Sequence, residues 1–234
     1  MRILAVGAHP DDIEFMCAGT LAKFTMRGDQ VIIAVATNGE VGSMTLSKEE
    51  IARIRRKEAE NSAAVIGAEF IWMNIPDEFL FDNESTRLKF IEMIRKAHPD
   101  IIITHWPEDP YHPDHSNTGK IVNDVCLMVT VPNIETESPP CKKIPYLYYA
   151  DAQAGVNFIP EEYVDITDTF EIKKKMLSMH KSQEQWLIDQ YNISPLEFME
   201  IISKFRGIQC GCRYAEGFRK ANAWPRITCR RLLP

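Results

Sequence analysis

No apolar run in the chain reaches the roughly 18 residues that a membrane-spanning helix needs. Basic residues do not prevail either. Lys and Arg number 27 against 33 Asp and Glu, and the net charge of -6 argues against broad electrostatic binding to nucleic acid or an anionic membrane. The Gly-rich dinucleotide fingerprint is missing: the first strand-to-helix turn reads G-A-H-P-D-D, and two carboxylates at a helix start repel a pyrophosphate. No G-x-S-x-G elbow occurs, which disfavours a serine hydrolase. Among the cysteines at 17, 126, 141, 210, 212 and 229, only Cys210 and Cys212 are close, with no second pair at zinc-site spacing. They are expected to be reduced thiols serving packing or incidental to the surface. The N-terminus runs straight into a strand without a signal-peptide layout, so the expected location is cytoplasmic.

What is present is an ordinary globular composition, 45% hydrophobic and 26% charged, over a length that can bury a core as a single domain, residues 1–234. The first half alternates strictly. Apolar, β-branched runs at 2–8, 30–37, 69–76 and 100–106 are separated by helical patterns at 13–28, 48–67 and 85–99. Near-continuous apolar strands fit a sheet covered by helices on both faces. The expected class is therefore α/β, a Rossmann-like three-layer sandwich with a mostly parallel sheet. Beyond residue 120 the pattern loosens, with strands expected near 144–152 and 161–167 and helices over 123–133 and 170–188.

Two charged clusters then need a reason. The first is His9, Asp11 and Asp12, with Glu14 close behind; the second is His112, Asp114 and His115 in "YHPDH", after the fourth strand. Acids and a proline in a first helical turn are common helix-start features on their own. In a sheet ordered 3-2-1-4, however, both clusters lie at carboxyl ends of adjacent strands, where such sheets bind ligands. His9 and Asp12 are spaced i,i+3 and can face one point, and His115 can add a third ligand from across the crevice. Two imidazoles and a carboxylate suit Zn²⁺ with a position open for water; Fe²⁺, Co²⁺ and Mn²⁺ are further candidates. Asp11 is then free to take a proton from water, and His112 to stabilise a developing oxyanion.

HPDD after the first strand with H-P-D-H after the fourth resembles the PIG-L/LmbE-like family of zinc-dependent N-acetylglucosaminyl deacetylases. Weaker resemblances run along nearly the whole chain: "GTLAK" (19–23), "ATNGEVG" (36–42), "RRKEAENSAAVIG" (55–67), "IPDEFL" (75–80), "DITDTFEIKKKMLSMHKSQ" (165–183) and "YAEGFR" (214–219). The resemblance implies one zinc held by His9, Asp12 and His115, with Asp11 as general base and His112 as electrophilic or general-acid group. It places Asp114 with the catalytic set as the group that orients a histidine, Arg55 near the substrate, and Asp77 on a sugar hydroxyl. It implies a small amino-sugar partner, an amide bond as target, and a trimer or hexamer. Pro110, Tyr111 and the stretch Cys17-Ala18-Gly19, where relatives often have Gly-Gly, depart from the pattern and bear on substrate identity.

Other readings stand beside this one. Arg53, Arg55 and Arg56 share a helix with Glu49, Glu50 and Glu58, which by itself reads as a solvated, salt-bridged face. His180 reads as a structural histidine, His105 as either a core histidine or a neighbour of the site, and His98 as a helix terminus. A metal-dependent phosphoesterase would use similar side chains but favours carboxylates bridging two metals. A non-catalytic metal or sugar binder would need neither Asp11 nor His112.

Overall fold

The computed structural model describes all 234 residues. A seven-stranded sheet is ordered β3-β2-β1-β4-β5-β7-β6. Its strands are β1 (Arg2–Gly7), β2 (Gln30–Thr37), β3 (Glu69–Ile75), β4 (Ile101–Thr104), β5 (Tyr146–Ala150), β6 (Glu162–Asp165) and β7 (Ala215–Lys220). β1 to β5 pair in parallel, and β7 runs antiparallel to both β5 and β6. The helices are α1 (Asp12–Met16), α2 (Ala18–Met26), α3 (Lys48–Val65), α4 (Glu84–Ala97), α5 (Pro113–Met128), α6 (Phe170–Leu177), α7 (Lys181–Tyr191) and α8 (Pro195–Cys210).

Alternation within the strands creates two cores. Ile3, Ala5, Val31, Ile33, Ile101 and Ile103 face one side and pack with Leu21, Phe24, Phe170, Met176 and Met199. Leu4, Val6, Ile32, Ala34 and Ile102 face the other and pack with Phe90, Ile94, Ile121 and Val125. The cores hold 24 and 21 buried residues, so neither sheet face is left to solvent, which is why the strands read as unbroken apolar runs.

The α/β expectation and the 3-2-1-4 order hold. The second half completes the same sheet through β5, β7 and β6. The expected helix over 13–28 is two helices, broken at Cys17, whose backbone (φ -151°, ψ 11°) is not helical. The expected helix over 170–188 is also two, interrupted at 178–180, where His180 adopts φ -85°, ψ 57°. The first break has a tertiary setting. A buried ion pair sits beside the first: Glu216 on β7 accepts from the backbone N–H of Gly19 (2.9 Å) and Thr20 (2.8 Å), supplying the cap that α2 lacks locally. Lys173 on α6 meets Glu216 at 2.6 Å and also donates to the Phe15 carbonyl at the end of α1.

Candidate metal centre

The two charged clusters converge at the carboxyl ends of β1 and β4. His9 follows β1, while His115 projects from the first turn of α5, which follows β4. His9 Nδ1 lies 3.2 Å from His115 Nε2 and 3.4 Å from Asp12 Oδ2, and His115 Nε2 is 3.2 Å from Asp12 Oδ1. A tetrahedral ion with bonds of about 2.0–2.1 Å has ligand edges of about 3.3–3.4 Å. The two ring nitrogens, and the Asp12 carboxylate through one oxygen toward each ring, therefore lie at distances close to such edges. Three overlapping groupings also bring three ligand atoms together, His9 with His112 and His115, Asp12 with His105 and His115, and His9 with Asp77 and Asp114, and each shares at least one residue with this set. In Asp12, His105 and His115, the Ala8 N–H donates to His105 Nε2 at 3.0 Å. In His9, Asp77 and Asp114, the carboxylates accept backbone N–H groups from Val41, Glu78 and Leu80. Charge points the same way. Asp11, Asp12, Asp77, Asp109 and Asp114 are all buried, and the only buried guanidinium among them is Arg55. A divalent cation offsets that excess.

Both histidines are oriented from behind. His9 Nε2 is 3.2 Å from Asp77 Oδ1 and 3.5 Å from Asp114 Oδ2, and His115 Nδ1 is 3.3 Å from Asp109 Oδ2. Carboxylates in this position fix ring orientation and raise ligand basicity. Asp114 thus sits where a histidine-orienting group should. Asp77 lines the recess, yet its oxygens point to His9, Thr37 and the backbone of Val41 and Glu78. That places it beneath a ligand histidine rather than in a position free to meet a sugar hydroxyl. Sequence reasoning missed Asp109; its signal is an acid at the start of the same loop that carries His112 and His115.

Burial acts against charge at both histidines, but the surrounding carboxylates outweigh it. Asp12, Asp114 and Asp77 raise His9 well above the usual imidazole range, and Asp12 with Asp109 raises His115. Burial would raise Asp12, but His115, His105 and His9 hold it well below the ordinary carboxylate value. His105 is held down to about 4 by burial and by His115, which it stacks on at 4.2 Å. His105 is thus a neutral ring packed beneath the centre.

Asp11 is a backbone outlier. Its φ of 118° and ψ of -21° put a non-glycine residue in left-handed space, which costs on the order of 1–3 kcal/mol and persists only where surroundings enforce it. Arg55 is the enforcing group: Nη2 donates to the Pro10 carbonyl at 2.8 Å and to Asp11 Oδ2 at 3.4 Å, and Nη1 to the Gly39 carbonyl at 3.3 Å. Any side chain at Gly39, itself at φ 62°, would begin 2.7 Å from that guanidinium. Arg55 therefore differs from Arg53 and Arg56, which are exposed; the solvated-face reading fails for Arg55, which is 5% exposed. Burial pushes the Asp11 carboxyl up to about 6, with Arg55 opposing and Asp12 adding to the rise. Behind it, His180 Nε2 stands 3.2 Å from Glu14, which also accepts from Ser62.

His112 caps α5. Its Nδ1 accepts from the Asp114 N–H at 3.1 Å, so the proton of the neutral ring sits on Nε2, 3.2 Å from Glu78 Oε1. Burial, with His9 and His115 nearby, lowers its pKa. With Nδ1 accepting, His112 presents Nε2 as its donor, one of the ways the sequence left open for it to stabilise an oxyanion. The six cysteines are free; Cys210 and Cys212 lie 3.6 Å apart at the surface, away from this centre.

The fold and this cluster define an α/β protein with two histidines and a carboxylate gathered beside an acid and a hydrogen-bond donor at the strand ends. The chain belongs to the PIG-L family, whose model, described as GlcNAc-PI de-N-acetylase, matches residues 4–126. It is 28% identical over 228 residues to a diacetylchitobiose deacetylase of Thermococcus kodakarensis, covering 93% of this chain and 82% of that one. The solved structure of N,N'-diacetylchitobiose deacetylase from Pyrococcus horikoshii superposes with a TM-score of 0.81 at 31% identity, over 93% of this chain and 82% of that one. A 4-carboxy-2-hydroxymuconate hydratase from Pseudomonas putida shares the fold, with a TM-score of 0.82 at 20% identity over 99% of this chain and all of that one. No helix is long and apolar enough to cross a membrane.

Proposed function

We propose that this chain, as one domain, is a metal-dependent hydrolase that removes an N-acetyl or related N-acyl group from a GlcNAc-type sugar or sugar conjugate. The observation that carries the reading is the convergence of His9 Nδ1, the Asp12 carboxylate and His115 Nε2 within 3.2–3.4 Å beside Asp11 and His112. Deacetylase relatives support the choice of an amide bond. His9, Asp12 and His115 would hold one divalent ion, with zinc the best match to the donor set. When bound, such an ion acidifies water toward a pKa of about 7 and polarises a carbonyl.

The protein's own groups do the rest. Asp11, held by Arg55 and desolvated, accepts the proton of the attacking water as it adds to the acyl carbon. His112 Nε2–H donates to the oxyanion that develops on the carbonyl oxygen. Asp11, now protonated, returns the proton to the leaving amine, which balances the hydrolysis to a free amine and a carboxylate. Asp109, Asp77 and Asp114 keep the two ligand rings in register.

The test pairs metal content with amine release. Asp11→Asn keeps its metal and loses on the order of 10²–10⁴ in rate, the range for a general base. His9→Ala and His115→Ala lose the metal. Near wild-type amine release from metal-loaded Asp11→Asn would defeat the mechanism, and phosphate release from a phosphoester without any amine release would favour a phosphoesterase.

A further inference from the structure

Beside the catalytic recess lies a second and larger depression that the hydrolysis itself does not require. The recess over His9, Asp11 and His112 has a volume of about 200 Å³, and the adjoining groove about 510 Å³. The two are continuous, because Phe15, Tyr111, Gln153 and Leu187 line both. Their chemistry is opposite. Carboxylates, imidazoles and a guanidinium surround the recess, whereas no charged side chain lines the groove. Its walls are the first turn of α8, the end of α7 and the single 3-10 turn Gln153–Gly155. Phe15 and Phe198 meet edge to face at 5.9 Å. The two tyrosines, Tyr111 and Tyr191, spend their hydroxyls on each other at 2.5 Å.

We propose, building on the deacetylase reading above, that this groove receives the aglycone of the substrate, and that the aglycone is a bulky apolar group of aromatic or polycyclic type. Continuity allows one molecule to place its amide at the metal centre and its other end in the groove. Polarity selects against a second sugar. Several hydroxyls would be buried there, and beyond the Gln153 amide and two tyrosine hydroxyls already bonded to each other the lining side chains are apolar. A volume of about 510 Å³ is wide enough for a ring system to lie flat against these walls. Val156 and Tyr191 are 49% and 51% exposed in the free chain, and covering such apolar surface is what an apolar ligand gains from binding here.

Calorimetric binding of the methyl, phenyl and 2-naphthyl glycosides of GlcNAc to the metal-loaded protein, with amine release followed in parallel, tests this. The naphthyl glycoside is expected to bind on the order of 10- to 100-fold more tightly than the methyl glycoside, and Phe198→Ser to erase most of that preference. Val156→Asp, on an exposed loop, serves the same purpose should Phe198→Ser unfold. Equal binding of the three glycosides, or a preference unchanged in both variants, overturns the proposal. So does diacetylchitobiose binding as tightly as the naphthyl glycoside, or N-hexanoylglucosamine gaining affinity where aryl glycosides do not. A dimer that Phe198→Ser dissociates would assign the groove to a second copy of the chain and overturn it as well. Aryl-selective binding without amine release from any of these compounds would reject the deacetylase reading and leave the groove assignment standing. Amine release with no aryl preference would do the reverse.

Discussion

Lys173 on α6 and Glu216 on β7 form an ion pair at 2.6 Å, with both side chains 2% exposed. The pair reaches from the last strand to the turn behind the metal centre, because Glu216 caps α2 and Lys173 holds the end of α1. Removing one partner leaves a buried charge uncompensated. Glu216→Ala is therefore expected to cost about 3–5 kcal/mol in urea denaturation, and a Lys173→Met, Glu216→Leu double variant to recover part of it. A loss below about 1 kcal/mol, the scale of a surface pair, would show that the pair is not structural.

Gly119 offers a test in which two effects have opposite signs. In an exposed helix interior, glycine to alanine stabilises by up to about 1 kcal/mol. Here a Cβ would lie 2.3 Å from the His105 carbonyl oxygen, and backbone cannot yield as a side-chain tip can. Gly119→Ala should destabilise the fold by about 1–3 kcal/mol. It should also weaken metal binding, because displacing α5 moves His115. A variant with a raised melting temperature would contradict this close packing.

Metal uptake should release protons. Asp12 and other carboxylates raise His9 and His115 above the ordinary imidazole value, so a metal must displace protons from these rings up to a higher pH than from free imidazole. Asp11, near 6 in the free chain, loses its proton more readily once a cation is beside it. Affinity is expected to fall steeply as pH drops from 8 to 6, on the order of tenfold or more per unit. Calorimetry in buffers of different ionisation enthalpy counts the protons, and a pH-independent affinity would refute the ligand set.

Arg55→Gln isolates the role of the guanidinium. Its charge opposes the burial that raises Asp11, so its loss should move the Asp11 carboxyl above about 6 in the metal-free protein, read by carbon NMR. Metal content should stay intact, since Arg55 touches Pro10, Asp11 and Gly39 but none of the three proposed ligands. Turnover should drop on the order of tenfold or more as Asp11 loses its anchor. Unchanged titration and turnover would reduce Arg55 to a packing residue.

The buried histidine pair adds a stability dependence on pH. Burial would lower His180, but Glu14 raises it above the ordinary imidazole value. Its contribution is fully present below about 6.5 and fades as pH rises through the folded-state value. His180→Gln should flatten the alkaline decline of the melting temperature, and an unaltered decline would assign that decline to other groups.

Local pattern alone determined much of this protein. The apolar runs of β1 to β4 and the helical spacing between them follow from burial on both sheet faces, and the 3-2-1-4 order usual for a doubly wound sheet puts His9, Asp12 and His115 at neighbouring strand ends. Spacing within "HPDD" and the placement of "HPDH" after the fourth strand were enough to anticipate that His9, Asp12 and His115 converge. Long-range contacts decided the rest. Nothing near Cys17 in sequence announces that Glu216 caps α2 from 196 residues away. Nothing in a helix rich in Arg and Glu says that Arg55 alone turns inward to hold a left-handed Asp11, while Asp109 and Asp77 pass behind the ligand rings. The apolar groove exists only because Phe15, Tyr111, Leu187 and Phe198, from four separate segments, converge in the folded chain. Periodicity reports the face on which a residue lies, whereas the partner it meets there depends on how distant segments pack.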